Sequence, residues 1–126
     1  MKILVVDDEK DVEVLFRQKF RRELKKGLLE LTFAFSGEEA MEKLAAEQAA
    51  DTVYIFSDIN MPGMSGLELL EKVGAAYPDI KVSMISAYAD SGHYDQAIAA
   101  GAQHFFSKPI DFTSIKKEIE TQLGTS

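Results

Sequence analysis

The 126-residue chain contains no cysteine. That absence excludes a disulfide framework, a thiolate metal site and a thiol nucleophile, and it suits a cytoplasmic protein. Positive charge is the minority: 14 Lys and Arg against 21 Asp and Glu give a formal net charge of −7. The balance argues against nucleic-acid binding through bulk charge and favours metal cations or basic partners. No apolar run approaches the ~18 residues that a membrane span needs. The N-terminal apolar run, Lys2 to Val6, leads straight into acids and carries no small-residue cleavage site, so it does not read as a secretory signal. No low-complexity stretch, repeat or linker divides the chain. What is present is ordinary globular composition, 46% hydrophobic and 28% charged, enough for one sizeable core and too little for two.

Two periodicities alternate along the sequence. Lys2-Ile3-Leu4-Val5-Val6 reads as a strand buried on both faces, and the next segment spaces Val12, Leu15, Phe16, Phe20 and Leu24 as one amphipathic helix stopped by Gly27. Leu28 to Phe35 reads as a second strand. Ser36-Gly37-Glu38-Glu39 has the spacing of a capping box and opens a helix through Ala40, Met41 and Leu44. Val53 to Ser57 is a third strand, followed by the turn residues Asn60 to Met64 and a second box, Ser65-Gly66-Leu67-Glu68. Its helix carries Leu67, Leu70 and Val73. A fourth strand spans 81–85, a short helix 94–100 is stopped by Gly101, and a fifth strand spans 104–107. The last helix, 111–123, has Ile115, Ile119 and Leu123 on one face. Five strand–helix units in succession predict an α/β fold: a doubly wound, five-stranded parallel sheet with five helices.

Ligands of such sheets bind beyond the carboxyl ends of the strands. Here those ends hold Asp7, Asp8 and Glu9, then Asp58, Ser86 and Lys108. Each alone is an ordinary turn, cap or surface residue; together they place several carboxylates, a hydroxyl and an ammonium at one edge. Neighbouring carboxylates repel and take up protons unless a cation offsets them, and hard oxygen ligands with water suit Mg²⁺. His93 and His104 fall outside the constellation, so zinc or copper is a poor match.

Asp7-Asp8, Asp58-Ile59-Asn60-Met61-Pro62, Ser86-Ala87 and Lys108-Pro109 resemble the signature of the bacterial two-component response-regulator receiver domain. The resemblance covers essentially the whole chain, 1–126, and is to single-domain, chemotaxis-regulator-like members. It implies a flavodoxin-like receiver fold with strand order 2-1-3-4-5 and no output domain in this chain. It implies that Asp58 is the phosphoacceptor, taking a phosphoryl group from a phosphohistidine of a sensor kinase or phosphotransfer protein. Asp7, Asp8, Asp58 and the backbone carbonyl of Asn60 would hold Mg²⁺, with Mn²⁺ able to substitute. Ser86 would be the switch hydroxyl and Lys108 the ammonium pairing with carboxylates and then phosphate. Phe105 falls at the aromatic switch position, and Pro109 follows a peptide bond that is usually cis in the family. Asn60 and Tyr88 occupy positions where the family tunes phosphoryl lifetime.

Two positions depart from the commonest pattern: Ser86 stands where threonine is common, and Ser65 where Asp or Asn is frequent. The function implied is a phosphorylation-dependent switch in the cytoplasm rather than a turnover enzyme. It would remodel the surface made by the fourth helix, fifth strand and fifth helix. The expected partners are the histidine kinase or phosphotransfer protein and a downstream target or an output domain elsewhere; a homodimer formed on phosphorylation stays open. Arg17, Lys19, Arg21, Arg22, Lys25 and Lys26 load the first helix with positive charge, either as a solvated face or as a dock for an acidic phosphodonor beside the site. Met61, Met64 and Met84 read as core and loop filling, and His93 and Tyr94 as candidate partner contacts. Two alternatives remain at this stage. A degenerate receiver would serve only for interaction or dimerisation, but usually lacks the acceptor or acidic pair. A haloacid-dehalogenase-like phosphatase would need an acid where Asn60 stands.

Overall fold

The structure, a computed structural model, describes residues 1–46, 51–87 and 91–123. Tyr88 and the end of the chain at Gly124 to Ser126, both considered above, lie outside them, as does the side chain of Leu123. In chain order the elements are β1 (Lys2–Val6), α1 (Asp11–Lys19), α2 (Arg21–Lys25), β2 (Glu30–Ala34), α3 (Gly37–Ala45), β3 (Thr52–Asp58), α4 (Gly66–Ala76), β4 (Lys81–Ser86), α5 (Ser91–Ala99), β5 (Phe105–Ser107) and α6 (Phe112–Leu123). All the strands pair in parallel, in the order β2-β1-β3-β4-β5.

The almost unbroken apolar strands arise because helices cover both faces of the sheet. Successive strand residues point to opposite sides. Leu4, Val6, Ile55, Val82 and Met84 therefore join α3, α4 and α5 in one cluster with Leu44, Leu69 and Val73. Ile3, Val5, Tyr54, Phe56 and Ile85 join α1 and α6 in the other, with Val12, Phe16, Phe20, Ile115 and Ile119. That second face is rich in rings: Phe16 packs against Phe20, Phe33, Phe56 and Phe112 with centroids 5.1–6.5 Å apart. Of the methionines, Met61 and Met84 are buried and Met64 packs on the first cluster from its rim.

The starts of α3, α4 and α6 follow the sequence. The Ser36 hydroxyl accepts from the Glu39 N–H at 3.0 Å, and the Glu39 carboxylate accepts from the Phe35 N–H, one residue outside the position a standard box would use. Ser65 accepts from the Glu68 N–H. Asp111 opens α6 by accepting from the Thr113 N–H and the Ser114 hydroxyl, and these bonds, the Ser114 one first, hold its carboxyl below the usual range.

One expectation needs correction. The single helix predicted through Leu24 is two helices, so the described residues form six helices rather than five. The chain turns at Phe20 (φ −107°, ψ 20°), whose ring is buried and stacked on Phe16. Phe16, Phe20 and Leu24 keep a four-residue spacing across the break, so periodicity is blind to it. Gly27 then stops the pair as expected, at φ +71°. α5 also begins earlier than predicted, at Ser91, because its first turn carries no apolar residue to register in the pattern.

Candidate functional site

Sheet register brings the strand ends together. Val6 lies beside Ser57, so Asp7 and Asp58 follow at the same level on β1 and β3. Asp58 lies beside Ile85, and Ser86 beside Ser107, which sets Ser86 and Lys108 one step further along β4 and β5. This edge includes the β1/β3 junction where the strand order reverses, the place at which open α/β sheets bind ligands.

Carboxylate oxygens of Asp7, Asp8 and Asp58 lie within 4.8 Å of one another. Asp7 and Asp58 are 5% and 6% exposed, whereas Asp8 faces solvent. The Lys108 ammonium reaches across from β5 to Asp7 Oδ2 at 3.2 Å and Asp58 Oδ1 at 3.7 Å. Asp7 is held further by the Glu9 N–H, which donates to Oδ1 at 2.9 Å. Ser86 is fully buried at the same edge, and its carbonyl accepts from the Lys108 N–H. The Lys108–Pro109 peptide bond is cis.

Burial, and then the neighbouring Asp7, push the Asp58 carboxyl up to about 6; Asp8 adds to this, while Lys108 and a hydrogen bond from the Ile59 N–H act in the opposite direction. Burial also disfavours the Lys108 ammonium, but Asp58 and Asp7 more than offset it and hold the group above the ordinary lysine range. One cation is thus shared between two carboxylates, and a third stands open to water. The donor set is all hard oxygen at an edge carrying excess negative charge, which fits a small divalent cation of the Mg²⁺ kind.

The loop after Asp58 is pinned at both ends. The Gly66 N–H donates to the Ile59 carbonyl at 2.8 Å, and a Cβ at Gly66 would lie 2.1 Å from the Asp58 carbonyl oxygen. Only glycine permits that approach of α4 to the strand end. Midway, the Glu38 carboxylate of α3 accepts from the Met64 N–H at 3.2 Å. Sequence reasoning missed this tie, because nothing in the spacing of residues 38 and 64 announces a contact. Asn60 is exposed within the same loop.

Two further expectations take definite form. Phe105 is half-buried, with its ring edge-on to Tyr94 at 5.6 Å, and Tyr94 is half exposed. The basic residues of the first helical segment do not form one face beside the site. Arg17 pairs with Glu13 at 3.0 Å and lies over the Phe33 ring, while Lys19, Arg21, Arg22 and Lys25 gather at the far end of α1. What borders the site is a largely apolar groove of about 580 Å³ between α1 and the start of α6, with Val12, Leu15, Pro109, Ile110 and Phe112 beside Lys108; of the basic residues of the first helical segment only Lys19 lines it, along with the acids Glu9 and Asp111.

A 2-1-3-4-5 parallel sheet with an acidic cluster and a lysine at its carboxyl edge defines a receiver, and the chain belongs to the response regulator receiver domain family, whose sequence pattern matches residues 3–120. It is 35% identical over 128 residues to the chemotaxis protein CheY1 of Helicobacter pylori strain J99, covering 100% of this chain and 99% of that protein. It is 32% identical to the chemotaxis protein CheY homologue of Campylobacter jejuni strain 81-176, over 99% of this chain and 94% of the relative. A solved CheY-like receiver domain from Methanospirillum hungatei JF-1 superimposes with a TM-score of 0.84 at 28% identity, covering 98% and 93% of the two chains. Among the described residues no helix is long and apolar enough to cross a membrane.

Proposed function

We propose that the chain is the phosphoacceptor switch of a two-component relay, and that Asp58 receives the phosphoryl group from a phosphohistidine. The observation that carries this reading is the Asp7–Asp8–Asp58 cluster with Lys108 bridging two of its members. An Asp58 carboxylate oxygen forms the new bond to phosphorus as the bond to the imidazole nitrogen breaks, and the imidazole keeps that electron pair. Both reactants are anionic, so the reaction depends on positioning and charge neutralisation. Lys108 already lies against Asp58 and is placed to pair with the transferred oxygens. Asp7, Asp8, Asp58 and the Asn60 backbone carbonyl would hold Mg²⁺, which supplies the remaining positive charge. Ser86, at the end of β4 with its carbonyl bonded to the Lys108 N–H, would donate its hydroxyl to the new phosphoryl oxygens. Phe105 would then turn inward, altering the α5–β5–α6 surface that a downstream partner reads.

The phosphodonor, a histidine kinase or phosphotransfer protein, has to reach this edge. The apolar groove between α1 and α6 is the surface offered to it beside Lys108.

The deciding experiment incubates the protein with Mg²⁺ and acetyl phosphate and records intact mass. A stable gain of one phosphoryl group in the wild type, lost in Asp58→Asn, is the expected result. Absence of any adduct would leave a degenerate interaction module, and sustained turnover of external phosphomonoesters would make the chain a phosphatase.

A further inference from the structure

A second concavity, of about 520 Å³, opens at the far end of α1 from the carboxylate edge. Gln18, Lys19, Arg21, Arg22, Lys25 and Lys116 line it. Five cations and an amide thus surround one hollow on a chain whose net charge is −7. No carboxylate is among the lining residues.

Helical spacing and the turn at Phe20 together make this arrangement. Gln18, Arg21, Arg22 and Lys25 stand at i, i+3, i+4 and i+7, the spacing of one helix face. Lys19 would stand about 160° from Arg21 around a continuous helix; with the chain turned between them both line the same hollow, and Lys116 closes it from α6. Phe20 fixes the corner from beneath, with the Lys116 ammonium 5.6 Å from its ring centroid. Among the described residues, Lys19, Arg21, Arg22 and Lys25 form no ion pair with any carboxylate. Glu23, the acid of α2, turns inward: its Oε1 is buried without a hydrogen-bond partner, and its Oε2 only approaches Lys116, at 4.0 Å.

Like charges held around a hollow repel unless an anion from outside offsets them. Arg21 and Arg22 offer planar forks that match phosphate oxygens, and the lysines offer point charges. No aromatic or branched aliphatic side chain lines the hollow to anchor a folded peptide or stack a base. We propose that it binds a small polyanion made of linked phosphoryl groups, held between α1–α2 and α6. The inference is independent of phosphoryl transfer to Asp58. Inorganic polyphosphate and the phosphate tail of a nucleotide share the required chemistry.

The test titrates the full chain with inorganic tripolyphosphate, following backbone amide shifts. The buffer is treated with chelating resin and contains neither phosphate nor EDTA, so the Asp58 site is metal-free. Saturable shifts confined to residues around 18–26 and 113–119 are expected. Affinity should fall about tenfold or more in R22E/K25E and in the milder R21Q/R22Q, which loses the forks without reversing charge. Equal affinity for ATP and tripolyphosphate would make the phosphate chain the whole ligand; tighter ATP binding would make a nucleotide the source. The proposal is overturned if sulfate at matched ionic strength reproduces the shifts, or if either variant binds like wild type. It is equally overturned if a hexaglutamate peptide or phosphatidylserine vesicles bind and tripolyphosphate does not.

Discussion

Asp58 sits under two opposing requirements. It is buried beside another acid, which favours its neutral form, yet the nucleophilic role proposed for it needs the carboxylate. With its carboxyl raised from 3.8 to about 6, the folded chain binds this proton more tightly than the unfolded chain does. The linkage then has a definite sign: the stabilisation is full below pH 3.8 and is lost as pH rises through about 6. In metal-free buffer, Asp58→Asn should be more stable than wild type by about 2 kcal/mol at pH 7, allowing for solvent screening, and the advantage should vanish near pH 4. Thermal melts across that range decide it; an advantage independent of pH would mean that the charge of Asp58 is not the cause. Mg²⁺ at pH 7 should raise the melting temperature of wild type and leave the variant almost unmoved.

Among elements, α4 shows how close packing sets the position of the strand end that carries Asp58. Gly66 and Gly74 lie on the same helix, but a Cβ at Gly66 meets the Asp58 carbonyl at 2.1 Å whereas one at Gly74 meets nothing within 4 Å. One substitution should therefore have opposite signs at the two sites. Gly74→Ala should stabilise by ~0.5–1 kcal/mol. Gly66→Ala should destabilise by several kcal/mol, as overpacking against backbone does, and should slow labelling by acetyl phosphate. Denaturant midpoints and phosphorylation rates provide the two readings. The groove between α1 and α6 has its own test, since Leu15 is 40% exposed there. Leu15→Glu should slow transfer from a protein phosphodonor while sparing acetyl phosphate, and equal slowing of both would remove the groove from partner docking.

At the scale of the whole molecule, α6 is fastened to the sheet by polar groups as well as apolar ones. The Tyr54 hydroxyl on β3 lies 2.6 Å from Ser83 Oγ on β4 and donates to Glu118 Oε2 on α6 at 3.0 Å. His104 Nε2 reaches the same oxygen at 2.6 Å, and Gln122 holds the other. Burial keeps the Tyr54 phenol protonated well above its ordinary range, and the Glu118 carboxylate reinforces this against the Ser83 bond. Tyr54→Phe leaves buried Ser83 and Glu118 each short of a partner and should cost roughly 1–3 kcal/mol of unfolding free energy. A loss no larger than that of an exposed Tyr→Phe change, such as Tyr94→Phe, would show that the network adds nothing net.

The sequence by itself determined the alternation of strands and helices, the capping serines and the strand-end residues Asp7, Asp8, Asp58, Ser86 and Lys108. These follow from hydrophobic period and from which residue ends each strand, both local properties of the chain. Register then converted separate strand ends into one site, in which Lys108 and Asp7, 101 positions apart, form a hydrogen bond. Only the tertiary structure decided the break at Phe20, the Glu38 tie to Met64 and the meeting of Tyr54, His104 and Glu118. In each of these the partners are distant in sequence or the spacing stays helical across the turn. Local pattern carries no trace of such contacts, because packing against the other elements selects them.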